Sequence, residues 1–528
     1  MPTLDVDYVV VGAGTAGCVL AERLSADPGV TVAVLEGGGH GRHPAIRVPL
    51  AFSRLFGTRY DWRYRTLPQT GLDGRSLHWP RGKGLGGCSL LNAQVWARGH
   101  RDDYDSWAAE AGPAWSYRET LPYFHRAERR SGTNSDRAYG DTGALWIEEL
   151  RSPNPTTTAF LRACGEAGHT RLPETNAADN TGYGPSPVTQ HTGRRFSCAD
   201  AYLRPARRRP NLTVLTRVLV HRLTLDGDRV TGVTATDRRG GELHVTARRE
   251  VVLSAGAVGS PHLLQLSGIG DPEALTEAGI TSRVPLPGVG RNLQDHLSVM
   301  LVSRCPEPVT LAAAQSPRAL ASYLLRRRGP LTSNIGEALC FVRTRPDLSA
   351  PDIELGHIPA PYLSRDAEPS AEHGTSLAVV LLRPHSRGTL RATSADPTVP
   401  PAIDPGYLTD PEGADLATLI RGVRAARHVL EAPSLAPYIG APWPPGPDLT
   451  DDEALTAHIR RTADTTFHPV GTCRMGTGDS TVVDPELRVH HLRGLRVADA
   501  SVMPSLVRGH PQAPTVMIAE RAADLIAR

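Results

Sequence analysis

The first 36 residues contain the pattern that most limits what this chain can fold into. A β-branched run, Asp7–Val11, is followed by the glycine turn Gly12–Gly17 and by apolar residues at helical spacing in Cys18–Leu24. A second apolar run, Val30–Leu35, ends at Glu36, roughly twenty residues after the last glycine. Strand, glycine turn, helix, second strand and terminal acid together predict a βαβ unit that binds a dinucleotide.

Each part of this unit has a role toward a bound dinucleotide. The glycines let the backbone approach a pyrophosphate and let the helix pack on the strand, while the helix N-terminus presents its N–H groups to the phosphates. The terminal acid accepts hydrogen bonds from the adenosine ribose, but the pattern does not distinguish FAD from NAD. The residues predicted to hold the dinucleotide are Gly12, Gly14, Thr15, Ala16, Gly17 and Glu36.

The charge balance argues against two classes of partner. The 58 Lys and Arg residues face 55 Asp and Glu residues, the net charge is +3, and no long block carries a single sign. We therefore expect neither nucleic acid nor an anionic membrane surface as a partner.

The N-terminus and the cysteines bear on the compartment. Val6–Leu20 is preceded by Asp5 rather than by a basic residue and is interrupted by glycines, which is unlike a signal peptide. No later stretch has the roughly 20 uninterrupted apolar residues of a membrane-spanning helix. The seven cysteines have no CxxC spacing, which favours reduced thiols. We expect a cytoplasmic protein with no membrane span.

The rest of the chain is long enough for a second domain. Residues 58–81 predict a loop, and 210–255 contain short β-like runs typical of a meander or hairpins. A helix is predicted to begin near Ser260, with Pro261 in its first turn. Residues 305–450 have no glycine fingerprint and predict a separate lobe, and an apolar helical pattern closes the chain.

Several longer motifs resemble those of the glucose-methanol-choline (GMC) oxidoreductases. The first, PRGKGLGGCSLLNAQVWARG, is long and specific, and the others follow it in the family's order over essentially the whole chain. The resemblance implies an FAD enzyme that oxidises alcohols. The motifs are Pro80–Gly99, Gly256–Gly270, Val289–His296, Pro384–Gly388, Phe467–Gly476 and Val497–Pro504.

The resemblance implies an α/β fold of two lobes. One is a Rossmann-like FAD-binding domain, and the other is a substrate-binding domain made of an antiparallel sheet with helices. The active site is then expected at their interface, above the flavin. The predicted boundaries are 1–155, 195–304 and 451–528 for the FAD-binding domain and 156–194 and 305–450 for the substrate-binding domain.

The same resemblance assigns further contacts to FAD. Glycines in the first motif let the main chain lie against the flat flavin ring. Some family members attach FAD to a histidine just before the motif's asparagine, but this chain has Leu91 there, so we expect non-covalent FAD. The additional cofactor residues implied are Gly84, Gly87, Asn92, Ala93, Val218, Asp499, Ala500 and Gln512.

Two histidines are the candidate catalytic residues by resemblance. His468 is implied as the general base that takes the hydroxyl proton while hydride leaves for flavin N5, and His510 as a second group at the same oxygen. The implied reaction is oxidation of a primary or secondary alcohol to a carbonyl. Glu337 falls where choline-oxidising relatives have a carboxylate, but a structural role is favoured here because few aromatic residues are available for a cationic cage. We expect no metal, since the pair His490–His491 has no third partner at ligand spacing.

Other functions stay open at this stage. A non-redox relative of the hydroxynitrile lyase type would keep the flavin and use the histidines only for acid–base cleavage. A flavin-binding protein without turnover is a second alternative, although both histidines are retained. A nicotinamide-dependent enzyme is a third, but no second glycine fingerprint is visible. The sequence identifies neither the alcohol nor the electron acceptor, which is oxygen or another molecule.

Overall fold

A computed structural model describes residues 3–130, 138–362, 372–443 and 451–528 of the chain. Within them, two larger β-sheets organise the fold, and each sheet has its own hydrophobic core. The predicted α/β class, with one Rossmann-like sheet and one antiparallel sheet, is confirmed.

The first sheet has the N-terminal βαβ unit at its centre. Thr3–Val11 pairs in parallel with Val32–Glu36 on one side and with Glu242–Leu253 on the other, and the helix Thr15–Leu24 connects the first two strands. The valines of Thr3–Val11 are buried on both faces of the sheet, as expected for a central parallel strand. In spatial order the strands are Leu212–Thr216, Val32–Glu36, Thr3–Val11, Glu242–Leu253, Arg229–Thr236 and Leu219–Asp226, with Leu495–Val497 beside the end of Glu242–Leu253.

The β-rich region 210–255 differs from its prediction in one strand. Leu219–Asp226, Arg229–Thr236 and the first half of Glu242–Leu253 form the expected antiparallel meander. Leu212–Thr216 instead pairs in parallel with Val32–Glu36 at the other edge of the sheet. Parallel and antiparallel strands share a side-chain period of two, so the sequence pattern could not separate them.

The helix predicted near Ser260 begins earlier, and that prediction is wrong. It spans Gly256–Leu266 with Pro261 inside it rather than in its first turn. Pro261 cannot donate to the carbonyl of Ala257 one turn back. The hydroxyl of Thr472 donates to that carbonyl at 2.7 Å instead. A distant residue therefore makes the internal proline tolerable, which local pattern could not reveal.

The second sheet is antiparallel and buried on both faces. One face packs against the helices Pro155–Glu166 and Ala414–Leu430, through side chains such as Phe160, Leu355 and Val423. In spatial order its strands are Asp464–Thr465, Leu297–Arg304, Gly374–Leu381, Ile353–Ile358, Ala338–Val342 and Gly182–Pro185.

The domain boundaries stay predictions, but one strand bears on them. Leu297–Arg304 lies in the range 195–304 assigned to FAD binding, yet it hydrogen-bonds within the second sheet. We propose that the substrate-binding domain includes this strand.

The helices surround the two sheets. The last helix packs against the first one, where Arg23 Nε lies 2.8 Å from Glu520 Oε2. The predicted loop 58–81 contains two short strands, Tyr64–Arg65 and His78–Trp79, and one turn of 3-10 helix, Thr70–Leu72. No helix in the described ranges has the length and apolar character needed to cross a bilayer. The helices are Thr15–Leu24, Pro44–Arg47, Arg101–Ala111, Tyr117–Ala127, Pro155–Glu166, Arg204–Ala206, Gly256–Leu266, Pro272–Glu277, Pro317–Arg326, Ala414–Leu430, Asp452–Thr462 and Gln512–Ala527.

Candidate active site

A cavity of about 1500 Å³ lies between the two sheets. The carboxyl ends of the first sheet's parallel strands open into it, and one face of the second sheet forms its far wall. In sheets of this kind ligands bind beyond the carboxyl ends of the strands. All predicted site residues except Gly17 and Gly84 line this cavity.

Gly17 and Gly84 do not line the cavity but pack closely against neighbouring backbone. A Cβ on Gly17 would lie 1.9 Å from the carbonyl oxygen of Gly12, so this glycine permits the close approach of helix and strand. Gly84 has φ +149°, and a Cβ there would lie 2.9 Å from the oxygen of Gly39. Both are therefore packing positions rather than contact positions.

The glycine turn forms a cradle that fits a dinucleotide. Gly12 has φ +95°, and a Cβ on Gly87 would lie 2.6 Å from the Cα of Gly14. Side chains at these positions would close the space where the first motif meets the N-terminal turn. The helix that begins at Thr15 directs its N-terminus into the same space, which suits phosphate.

Glu36 is fixed at one end of the cavity. Its carboxylate accepts hydrogen bonds from the backbone N–H of Gly38 at 2.7 Å and of Ala13 at 3.0 Å. Burial raises its pKa, and these bonds oppose the rise. Val218 donates its own N–H to the carbonyl of Glu36 at 3.0 Å, and the ring of Trp62 lines the same end. This arrangement fits an adenosine, and Trp62 is a lining residue that the sequence did not predict.

Asp499 organises backbone rather than presenting a free carboxylate. One oxygen accepts from the N–H of Gly256 at 2.8 Å and the hydroxyl of Ser260 at 2.6 Å. The other accepts from the N–H and hydroxyl of Ser501 at 2.8 and 2.6 Å. Burial raises the pKa of Asp499. Its carboxylate thus holds the N-terminus of a helix against the cavity, beside Ala500.

Asn92 and Gln512 both line the cavity, and their side-chain amides are hydrogen-bonded to each other. Arg195 lies behind them, 3% exposed, and donates to the side-chain oxygen of Asn92 at 2.6 Å and to its carbonyl at 2.7 Å. Burial lowers the pKa of Arg195 to about 9. Arg195 was not among the predicted residues, and no local motif marks it.

His468 is held on its backbone and on one ring nitrogen. Its backbone N–H donates to the carboxylate of Asp295 at 2.6 Å. Its ring Nδ1 lies 2.9 Å from Nδ1 of His296 and 3.1 Å from the hydroxyl of Thr466. Nε2 of His296 lies 3.0 Å from the carbonyl of Leu382 and must donate to it, because a carbonyl only accepts. Nδ1 of His296 is then an acceptor, so we assign the proton of His468 to Nδ1. This leaves Nε2 of His468 with a free lone pair.

Electrostatics keep this lone pair available. Burial, followed by His510, His296 and Arg81, holds the pKa of His468 well below its ordinary value. Burial also lowers the pKa of His296 to about 3, so it stays neutral as an acceptor. The sequence could not assign a role to His296, and in our assignment His296 is the partner that sets the tautomer of His468.

His510 lies beside His468, with ring centroids 4.8 Å apart. Its Nε2 is 3.2 Å from both carboxylate oxygens of Glu354, a residue 4% exposed on the second sheet. Glu354 was missed by sequence reasoning. The signal that could have found it is a lone acid in the strand Ile353–Ile358, whose other residues are apolar except His357, since a buried charge is costly without a purpose or partner.

Glu337 does not line the cavity. Its carboxylate accepts from the N–H of Asn154 and the hydroxyl of Thr157, each at 2.7 Å, and from the hydroxyl of Ser333. These contacts agree with the structural or general polar role favoured from the sequence, which stays a prediction. On the second sheet, Glu354 is an acid that does line the cavity.

Strand register explains the shape of the far wall. Leu339, Gly356, Ala378 and Met300 stand opposite one another in one row across four strands. All four line the cavity, and the two small residues in the middle leave room for a substrate. Glu354 and Val380 pair two residues further along these strands, on the same face of the sheet, so Glu354 also belongs to this wall. A mainly apolar wall with one carboxylate results.

The glycine cradle and the imidazoles of His468 and His510 share one cavity, an arrangement that fits a nucleotide-dependent enzyme. The family model described as GMC oxidoreductase matches residues 6–298 with its N-terminal part and 384–519 with its C-terminal part. The chain therefore belongs to the GMC oxidoreductase family.

Relatives support this membership over the full length. An uncharacterised GMC-type oxidoreductase of Mycobacterium tuberculosis is 49% identical over 98% of this chain and 99% of its own. An alcohol dehydrogenase (acceptor) of Pseudomonas putida is 40% identical over 99% and 96%. The solved structure of pyridoxine 4-oxidase from Mesorbium loti has a TM-score of 0.89 and 34% identity over 98% of both chains. Other solved relatives are FAD-dependent enzymes.

Proposed function

We propose that this protein oxidises a primary or secondary alcohol to a carbonyl with non-covalently bound FAD. The observation that carries the proposal is the free Nε2 of His468 in the cavity that also contains the glycine cradle. The alcohol and pyridoxine substrates named for two relatives support the CH–OH class of donor. Bound FAD would supply the acceptor for the hydride that leaves the alcohol carbon with two electrons.

His468 takes the hydroxyl proton on Nε2 and becomes an imidazolium. A positive charge then appears in a buried site, where it needs compensation. Glu354 supplies a negative charge through its hydrogen bond to His510, which stands next to His468. His510 faces the same space and orients the substrate oxygen. His296 keeps the proton on Nδ1 of His468 throughout and does not itself become charged.

The far wall favours a neutral alcohol with an apolar body. Leu339, Met300 and Ile358 offer apolar contact, and Gly356 and Ala378 leave space between them. Both oxygens of the one wall carboxylate face His510, which argues against a cationic head group such as trimethylammonium as its partner.

Anaerobic titration with a panel of aliphatic, aryl, furanic, sugar and choline alcohols tests the proposed function. We expect the flavin absorbance to bleach with at least one alcohol, most readily with an apolar one. Cyanohydrin cleavage without bleaching would identify a lyase, and bound flavin that no alcohol bleaches would indicate a protein without turnover. Reduction by NADPH would favour a nicotinamide-dependent enzyme, and an oxygen electrode with and without a dye identifies the acceptor class.

Acid denaturation should release the flavin completely. The position that carries the attaching histidine in some relatives is Leu91, whose hydrocarbon side chain lines the cavity and offers no nucleophile. After acid precipitation, the yellow colour should remain in the supernatant and migrate as FAD. Colour retained in the washed pellet would contradict non-covalent binding.

The rate of flavin reduction should not vary with pH between about 6.5 and 8. The pKa of His468 is lowered, chiefly by burial, so the imidazole stays neutral and able to accept a proton across this window. A histidine with its ordinary pKa of about 6.5 would lose half of the rate at that pH. Stopped-flow reduction at saturating alcohol measures the profile, and a midpoint near pH 6.5 would contradict the assigned environment.

A further inference from the structure

One side of the cavity mouth is built from two segments that contain only basic charges. Residues 37–60 and 308–336 include eight arginines and no aspartate or glutamate. They adjoin in the fold, since Pro49–Leu55 packs against Pro330–Thr332 and the hydroxyl of Tyr323 donates to the carbonyl of Arg47 at 3.3 Å. We call this surface the basic rim. Its arginines are Arg42, Arg47, Arg54, Arg59, Arg318, Arg326, Arg327 and Arg328.

A helix in the basic rim exposes leucines to solvent. Pro317–Arg326 buries Ala319 and Tyr323, while Leu320, Leu324 and Leu325 are 51%, 58% and 83% exposed. Only five large apolar side chains are exposed in the described ranges, and three of them are on this helix. Spacings of four and five residues place them on the side opposite the buried pair. The helix, about 15 Å long, therefore presents an apolar side to solvent.

The arginines of this helix and of the turn after it have no ion-pair partner among the described residues. Within the described residues, no carboxylate lies within 4 Å of the guanidinium groups of Arg318, Arg326 or Arg328. Arg327 lies over the ring of Tyr323, 4.7 Å from its centroid. Apolar side chains beside uncompensated arginines are the combination that seats a helix in the interface of an anionic bilayer.

We propose that the basic rim docks this protein peripherally on an anionic lipid bilayer. The exposed leucines enter the acyl boundary, and the arginines lie at the lipid phosphates. Leu320 and Leu324 also line the cavity, so its mouth then faces the membrane. An apolar alcohol or an electron acceptor dissolved in the bilayer reaches the cavity without crossing water. Docking itself does not depend on the assigned chemistry.

The net charge of the whole chain, only +3, does not indicate the basic rim. Eight of the 58 basic residues lie in the basic rim, and the remaining 50 face 55 acids in the rest of the chain. A nearly neutral chain thus concentrates basic charge in two adjoining segments. The sequence-based expectation that an anionic membrane is not a partner was drawn from the net charge and is replaced by this proposal.

Vesicle co-sedimentation of the FAD-loaded protein tests the docking. We expect at least about tenfold more protein bound to vesicles of phosphatidylcholine mixed with phosphatidylglycerol than to phosphatidylcholine alone, and less at high salt. Leu325→Ser, which does not line the cavity, should weaken binding by about tenfold. Arg326→Ser and Arg328→Ser should each weaken it roughly fivefold.

Leu67→Ser is the matched control, because Leu67 is 40% exposed and lies outside both the cavity and the basic rim. It should bind like the parent, and unchanged flavin absorbance shows that each variant is folded. Protein that stays in the supernatant with anionic vesicles overturns the proposal, as does equal binding by the Leu325 and Leu67 variants. A dimer in sedimentation velocity that Leu325→Ser dissociates, without vesicle binding, would assign the surface to a second copy of the chain.

Discussion

Replacing His468 by alanine should lower the rate of anaerobic flavin reduction by about 10³-fold while FAD stays bound. The variant loses the one imidazole nitrogen whose lone pair we assign as free in the cavity. It keeps the glycine cradle and Glu36, which we propose hold the dinucleotide. Stopped-flow reduction with the best alcohol measures the loss, and flavin content per chain verifies that binding is intact.

His385→Ala is the control for this variant. His385 also lies in a family-like motif, but it is exposed and does not line the cavity. We expect its reduction rate to stay within about twofold of the parent, as for most surface substitutions. Unchanged reduction kinetics in His468→Ala would remove His468 from the role of base. Loss of flavin from that variant would instead show that the residue supports the cofactor.

The parts of the site that the sequence predicted are those set by local spacing. The βαβ unit has its glycines and its terminal acid within 36 residues, and each element constrains its neighbour directly. His468 and His510 were found because each lies in or beside a recognisable motif. Even there, the sequence did not separate the contact glycine Gly87 from the packing glycine Gly17, because that distinction depends on what lies opposite each backbone.

The residues that were missed act across long sequence separations. Glu354 reaches His510 over 156 residues, and Arg195 reaches Asn92 over 103. No periodicity or motif carries such pairings. The tautomer of His468 depends on His296, 172 residues away, and on a backbone carbonyl that only the folded chain brings near. The basic rim likewise joins two segments whose positive charge does not appear in the net charge of the whole chain, because acidic residues elsewhere balance it.

Glu354→Gln should lower the rate of flavin reduction by roughly 10–100-fold, because the imidazole of His510 would lose its negatively charged partner. Glutamine keeps the size of the side chain and can still accept from Nε2 of His510, so the loss isolates the negative charge. Glu337→Gln is a matched control on a buried carboxylate outside the cavity. It should reduce stability and leave the rate per bound flavin close to that of the parent.

A double-mutant cycle shows whether Glu354 acts through His510 or on the substrate directly. Because both carboxylate oxygens lie 3.2 Å from Nε2 of His510, we treat Glu354 as a positioning residue. The Glu354→Gln change should then cost little once His510 is already alanine, and the two single losses should not add. Full additivity would mean that the carboxylate contacts the substrate itself, and His510 would no longer link it to the imidazolium formed on His468.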